Sequence, residues 1–123
     1  MAENKSKLII QEKEGVAQIQ FVDHDILEEA SIVQIGKEIS QLISRMSNPK
    51  VLINFEQVEH LSSSALGALI TVNNKIKRKG GQLRLSNINK QIYEVFLITQ
   101  LNKLFKIYGD VNEATESFSE YQL

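Results

Sequence analysis

The chain contains no cysteine, no tryptophan and one proline. Without cysteine there is no disulfide, no thiolate nucleophile and no thiolate-ligated zinc, which fits a reducing compartment. No apolar run approaches the roughly 20 residues that span a bilayer, so membrane insertion is not expected. The start, Met1-Ala2-Glu3-Asn4-Lys5-Ser6-Lys7, has no hydrophobic segment of the secretory kind, and a cytoplasmic location follows as the expectation. Net charge is -1, with 14 basic against 15 acidic residues, so no basic field draws the chain to nucleic acid. Pro/Gly-rich linkers, internal repeats and low-complexity tracts are also missing. What remains is 123 residues, 42% hydrophobic and 24% charged, a size and composition that suit one globular domain.

The order of hydrophobic patterns predicts an α/β domain. Lys7 to Gln11 and Val16 to Phe21 read as two strands joined by Glu12-Lys13-Glu14-Gly15, a hairpin. In the second strand Ala17, Ile19 and Phe21 alternate with glutamines, the period of a half-buried strand. Val22 to Leu27 is polar and irregular. Glu28 to Met46 reads as a helix with Ile32, Ile35, Ile39, Leu42 and Met46 inward, and Pro49 lies just beyond its end. Val51 to Phe55 is the next strand, and its continuous apolar core, Val51-Leu52-Ile53, suits a central strand covered on both faces. A second helix follows to about Arg78, with Ala65, Leu69, Val72 and Ile76 on one face. It ends in Lys75, Lys77, Arg78 and Lys79 and then Gly80-Gly81, cations and glycine both suiting a helix C-terminus. Gln82 to Ser86 is a strand and Ile88 to Ile98 a helix with Ile88, Ile92, Val95 and Phe96 inward. Phe105 to Tyr108 is a short strand. Asp110 begins a last helix, with Glu113 at capping-box spacing and Val111, Ala114 and Phe118 facing in. The tail from Glu120 is expected to fray. The order is ββαβαβαβα: a four- to five-stranded mixed sheet with about four helices packed on it.

Three serines, Ser62, Ser63 and Ser64, stand where the central strand gives way to the second helix. Unpaired backbone N–H groups and the positive end of the helix dipole meet hydroxyls there. Two readings stay open together: one serine is an N-cap, and one is a site where a phosphate, including a covalent one, is tolerated. Other chemistry is weaker. Asp23-His24-Asp25 with Glu28 and Glu29 matches no calcium-loop spacing and reads as a solvated acidic loop, so no metal is expected. His24 and His60 have no motif-defined partner and read as surface residues. Gly80-Gly81 lacks the Lys-Ser/Thr of a nucleotide loop. Tyr93, Phe96, Phe105 and Tyr108 read as core. No acid–base pair or activated nucleophile is legible, so neither catalytic residues nor a cofactor are expected.

In this order the motifs resemble the STAS domain, the fold of the bacterial anti-sigma-factor antagonists. Val51-Leu52-Ile53-Asn54-Phe55 leading into Leu61-Ser62-Ser63-Ser64-Ala65-Leu66-Gly67 is similar to that family's buried strand, loop and Asp-Ser-Ser/Thr-Gly-Leu-Gly helix start. Val95 to Tyr108, then Glu113-Ala114, resembles its helix, Thr-Gly-Leu turn, strand and Glu-Ala helix start. Gly80-Gly81-Gln82-Leu83 matches the glycine pair before its next strand. The resemblance covers residues 7 to 118 and makes the whole chain, 1–123, a single domain.

The resemblance implies a regulatory binding protein rather than an enzyme. Unphosphorylated, such a protein binds an anti-sigma factor that is also a serine kinase. Phosphorylation releases it, and a serine phosphatase resets it. Aligned on Leu66-Gly67, the acceptor is Ser64, with Ser63 the alternative one position earlier, and the contact patch is Ser62, Ser63, Ser64, Ala65 and Leu66. A monomer or weak dimer is expected. Single STAS domains also serve as non-switching scaffolds of signalling complexes and as accessory subunits in lipid or anion transport. Four positions depart from the family pattern: Ser62 and Asn54 replace aspartates, and Ala65 and Gln100 replace glycines. Two fewer carboxylates make the surroundings of Ser64 less negative, which eases the accommodation of a phosphate.

Overall fold

The computed structural model describes residues 6–119; the expectation for the tail from Glu120 lies outside them. Strands β1 (Leu8–Lys13) and β2 (Val16–Phe21) form the antiparallel hairpin. Its turn uses Glu14 and Gly15, both at positive φ. Strands β4 (Lys50–Asn54), β6 (Gln82–Ser86) and β7 (Lys106–Tyr108) then add in parallel, giving one mixed five-stranded sheet in the order β1-β2-β4-β6-β7. A separate parallel ribbon pairs β3 (Asp25–Ile26) with β5 (His60–Leu61). The stretch 22–27, read as irregular, therefore holds a two-residue strand.

Four helices accompany the sheet: α1 (Glu29–Ser44), α2 (Ser63–Arg78), α3 (Lys90–Ile98) and α4 (Val111–Ser117). The two long ones pack against each other and bury the expected faces, Ile32, Ile35, Ile39 and Leu42 from α1 and Ala65, Leu69, Val72 and Ile76 from α2. Alternate sheet residues Ala17, Ile19, Val51, Ile53, Leu83 and Leu85 complete this core. The other face of the sheet is closed by α4, where Val16 and Leu52 meet Ala114 and Phe118. Residues of β4 thus face apolar side chains on both sides, which explains its unbroken hydrophobic run.

Two side chains depart from the expected core. Val95 is 41% exposed, because the nine residues of α3 bury only Ile92 and Phe96, one turn apart. Tyr93 lies one position off that stripe and is exposed, whereas Phe96 and Phe105 stack edge to face inside. Phe105 itself sits just before β7 and is buried from the preceding turn.

Helix α2 ends in a Schellman arrangement. The Gly81 N–H bonds to the Ile76 carbonyl (2.9 Å) and the Gly80 N–H to the Lys77 carbonyl (3.0 Å), with Gly80 at φ +72. Gly81 has no room for a side chain, since a Cβ there would run into the Pro49 carbonyl. This turn sets the start of β6 beside β4 and so fixes the C-terminal end of α2 on the sheet.

Candidate functional site

The approach to the serines is held by backbone. Phe55 N–H bonds to the Ser86 carbonyl (2.9 Å), and the Asn54 side-chain oxygen accepts from Glu56 N–H (2.9 Å), turning the chain off the end of β4. Val58 is buried beneath the loop. The next residues are tied to the β3 segment: Glu59 N–H to the His24 carbonyl (2.7 Å) and Ser62 N–H to the Ile26 carbonyl (3.1 Å). Asn89 clamps the other side. Its amide nitrogen donates to the carbonyls of Val58 (3.2 Å) and Glu59 (3.3 Å), while its oxygen caps α3 through Ile92 N–H (2.8 Å). Neither the ribbon nor the Asn89 clamp was legible beforehand. An asparagine before a helical run signals a cap, but its second role depends on a loop 30 residues away.

The three serines divide. Ser62 is the N-cap: its extended backbone (φ -83, ψ 166) puts Oγ 3.2 Å from Ala65 N–H, and its carbonyl accepts from Leu66 N–H (3.2 Å). Ser63 and Ser64 are the first two helical residues, and both are exposed. Among the described residues neither hydroxyl has a hydrogen-bond partner, and no acceptor meets either amide N–H. No acidic residue occupies the first turn of α2. Ala65 and Leu66 lie underneath, 4% and 7% exposed, anchoring the serines to the core. The exposed part of the expected patch is therefore Ser63 and Ser64, with half-buried Ser62 at its edge. A negative charge placed on a hydroxyl exposed at a helix start would meet unpaired N–H donors and the favourable end of a dipole.

The acidic run resolves into separate partners. Asp23 pairs with Lys7 (3.3 Å), and His24 Nδ1 lies 2.7 Å from the Gln57 carbonyl oxygen. Asp25 instead crosses the ribbon to His60, Oδ1 to Nδ1 2.8 Å. The hydrogen bond that His60 donates to the Asp25 carboxylate, together with that group's negative charge, raises the His60 pKa above the ordinary 6.5. Glu59 stands close by, so that ligand-type atoms of Asp25, Glu59 and His60 all lie within 4.8 Å of one another, on a fully exposed surface. This pair links the two strands of the ribbon that leads into the serines. Among the described residues no helix is long and apolar enough to cross a membrane.

The model of the STAS domain matches residues 9–114. A Thermotoga neapolitana protein, named by inference as an anti-sigma factor antagonist TM1081 homolog, is 31% identical over 67 residues, 54% of this chain and 59% of that protein. The chain thus matches less than two-thirds of that relative's length. An anti-sigma-factor antagonist (STAS) domain protein from Planctomyces limnophilus superimposes with a TM-score of 0.83 at 24% identity, covering 94% of this chain and 99% of the other. The Bacillus cell fate determinant SpoIIAA in its phosphorylated form does so with a TM-score of 0.67 at 18% identity, over 90% and 98%. At these identities the two structures establish the shared fold.

Proposed function

The chain belongs to the STAS domain family, and we propose that it is an anti-sigma-factor antagonist whose binding is switched off by phosphorylation of Ser64. One observation carries the reading. Ser62 does the capping, so Ser64 is left exposed and without a structural hydrogen bond at the start of α2. Its hydroxyl is free to be modified without unmaking the helix. A phosphoserine adds about -1.5 to -2 charges at neutral pH. The helix N-terminus tolerates them, whereas a partner surface fitted to a neutral hydroxyl does not. The partner is an anti-sigma factor with serine-kinase activity, and a serine phosphatase restores the binding form. The family of named relatives and the phosphorylated SpoIIAA structure support this assignment.

Phosphopeptide mapping of protein purified from its own cells is the first test, and modification is expected on Ser64. Titration calorimetry of the phosphorylated and unmodified forms against the cognate anti-sigma factor is the second. A repulsion of roughly 1.4–2.8 kcal/mol weakens binding about ten- to a hundred-fold. Equal affinities refute the switch and promote a scaffold role, which the exposed Leu97 and Ile98 at the end of α3 favour. Modification on Ser63 alone shifts the acceptor by one residue.

A further inference from the structure

The net charge of -1 conceals a segregation along the strand axis. Strands β4, β6 and β7 run parallel, so their first residues share one end of the domain with the last residues of α1 and α2. Element after element starts or stops there with a cation. Arg45 follows α1, Lys77 and Arg78 close α2, Lys50 opens β4, Lys103 closes the short turn before β7, and Lys106 opens β7. Lys50 is half-buried and the other five are exposed. The ion pairs among the described residues, Lys7–Asp23, His24–Glu59 and His60–Asp25, all lie at the serine end and use none of these cations. Between Glu38 and Asp110 the chain has ten basic residues and three acidic ones, Glu56, Glu59 and Glu94. Glu56 and Glu59 belong to the serine end, and Glu94 sits halfway along α3. Of the remaining carboxylates near the cationic end, Glu12 is on the edge strand β1, and Glu14 and Glu116 stand with Lys13 on the α4 face of the sheet.

Helix carbonyl ends would repel an anionic surface, but here they are occupied. Lys79 Nζ donates to the Ile43 (2.9 Å) and Ser44 (3.2 Å) carbonyls of α1, and the Lys79, Gly80 and Gly81 N–H groups take up the Ile76 and Lys77 carbonyls of α2. An apolar feature joins the cations. Helix α3 runs against the strands, from the Asn89 clamp at the serine end to Ile98 at the cationic end. Leu97 is 46% exposed and Ile98 81%, next to the turn that carries Lys103 into β7. Among the described residues no exposed aromatic ring stands at this end to stack a base. Unpaired cations beside bare aliphatic side chains match the headgroup region of a bilayer, which offers negative charge and an apolar phase together.

We propose that this end of the domain docks peripherally, without spanning, on an anionic lipid bilayer, with its cations on the headgroups and Leu97 and Ile98 in the interface. Helix α2 then holds Ser64 about 20 Å away from Arg78, on the side facing away from the lipid. Docking leaves the serine loop open and does not depend on Ser64 being modified. The test is flotation of the full chain with vesicles of phosphatidylcholine alone and with about 30% phosphatidylglycerol. Binding to the anionic vesicles only, weakening as salt rises from about 50 to about 500 mM, is expected. Lys77→Gln/Arg78→Gln/Lys106→Gln, all at exposed positions, should lower the partition coefficient about a hundredfold, at about fivefold per cation. The chain has no tryptophan, so Ile98→Trp places a single reporter at the contact, and its emission should shift to the blue on anionic vesicles. Ile98→Ser should weaken binding severalfold with no change of charge. If the triple variant fails to fold, the tryptophan shift and the salt dependence of the parent still decide. A short DNA duplex in a parallel arm tests the other polyanion: duplex binding tighter than vesicle binding and indifferent to Ile98→Ser assigns this end to nucleic acid and overturns the proposal. Absent binding to anionic vesicles, equal binding to neutral ones, an unshifted tryptophan, or a folded triple variant that binds as the parent does overturns it as well.

Discussion

Replacing the three serines one at a time separates the cap from the acceptor. Ser62→Ala removes the Oγ that takes the Ala65 N–H and leaves that donor unpaired at the start of a helix packed on the core. Cap losses of this kind cost about 0.5–2 kcal/mol, and the 3.2 Å bond puts this one near 1 kcal/mol. Ser63→Ala and Ser64→Ala lose no hydrogen bond, and alanine is the better helix former, so both should stay within about 0.5 kcal/mol of the parent. Urea unfolding resolves the difference: with a slope of about 1–3 kcal/mol/M, the Ser62 variant shifts its midpoint by about 0.3–1 M. The same series run through a kinase reaction should show the reverse pattern, with Ser62→Ala still modified and Ser64→Ala not. Phosphorylation of Ser64 should leave stability unchanged or raise it by about 0.3–1 kcal/mol, as anions do at helix N-termini. If Ser64→Ala costs as much as Ser62→Ala, Ser64 is structural and the division drawn here is wrong.

Leu69→Ala should cost about 3–4 kcal/mol. The side chain is 4% exposed and borders an apolar void of about 20 Å³ between α1 and α2, so the new space joins an existing one and closes poorly; a loss below about 1 kcal/mol in denaturant unfolding would place this face nearer solvent. Gln100→Gly should stabilise by up to about 1 kcal/mol, because Gln100 holds φ +63 at the turn before Leu101, and a lowered melting temperature would contradict that strain. His60 should titrate above 6.5 by imidazole NMR, and Asp25→Asn should bring it back toward that value. Since the folded pKa is the raised one, the Asp25–His60 pair supports the ribbon fully below pH 6.5 and lets go as pH rises through the His60 midpoint. An unshifted midpoint in the Asp25 variant removes the pair from the account.

Where hydrophobic spacing ran long enough, it predicted the structure. Sixteen residues of α2 repeat their apolar positions over four turns, and every residue of the expected stripe is buried. The five residues of β4 needed no alternation, because α1 and α2 close one face and α4 the other. Legibility fails where tertiary contacts rather than period decide. The β3–β5 ribbon is two residues wide and exists through bonds between segments 35 positions apart, which no local pattern announces. Val95 belongs to the same apolar composition as Ile92 and Phe96, yet a nine-residue helix lying on the core by one stripe leaves it outside. Arg84 reads as the polar side of a strand and is buried only because Ser117 and Phe118 of the last helix close over it.

The serine loop shows both limits at once. Residue type marked Ser62, Ser63 and Ser64 equally, as three good caps in a row. What separates them is geometry set from outside the loop. The Ile26 carbonyl holds Ser62 in extended backbone just before the helix, and this fixes which hydroxyl turns inward to the Ala65 amide. Burial of Ala65 and Leu66 then forces the two intervening serines outward. A one-residue slip of the β3–β5 pairing would hand the cap to Ser63 and move the exposed pair along by one. The Asp25–His60 contact and the Asn89 clamp oppose that slip, so residues with no hydroxyl of their own determine which serine is available for modification.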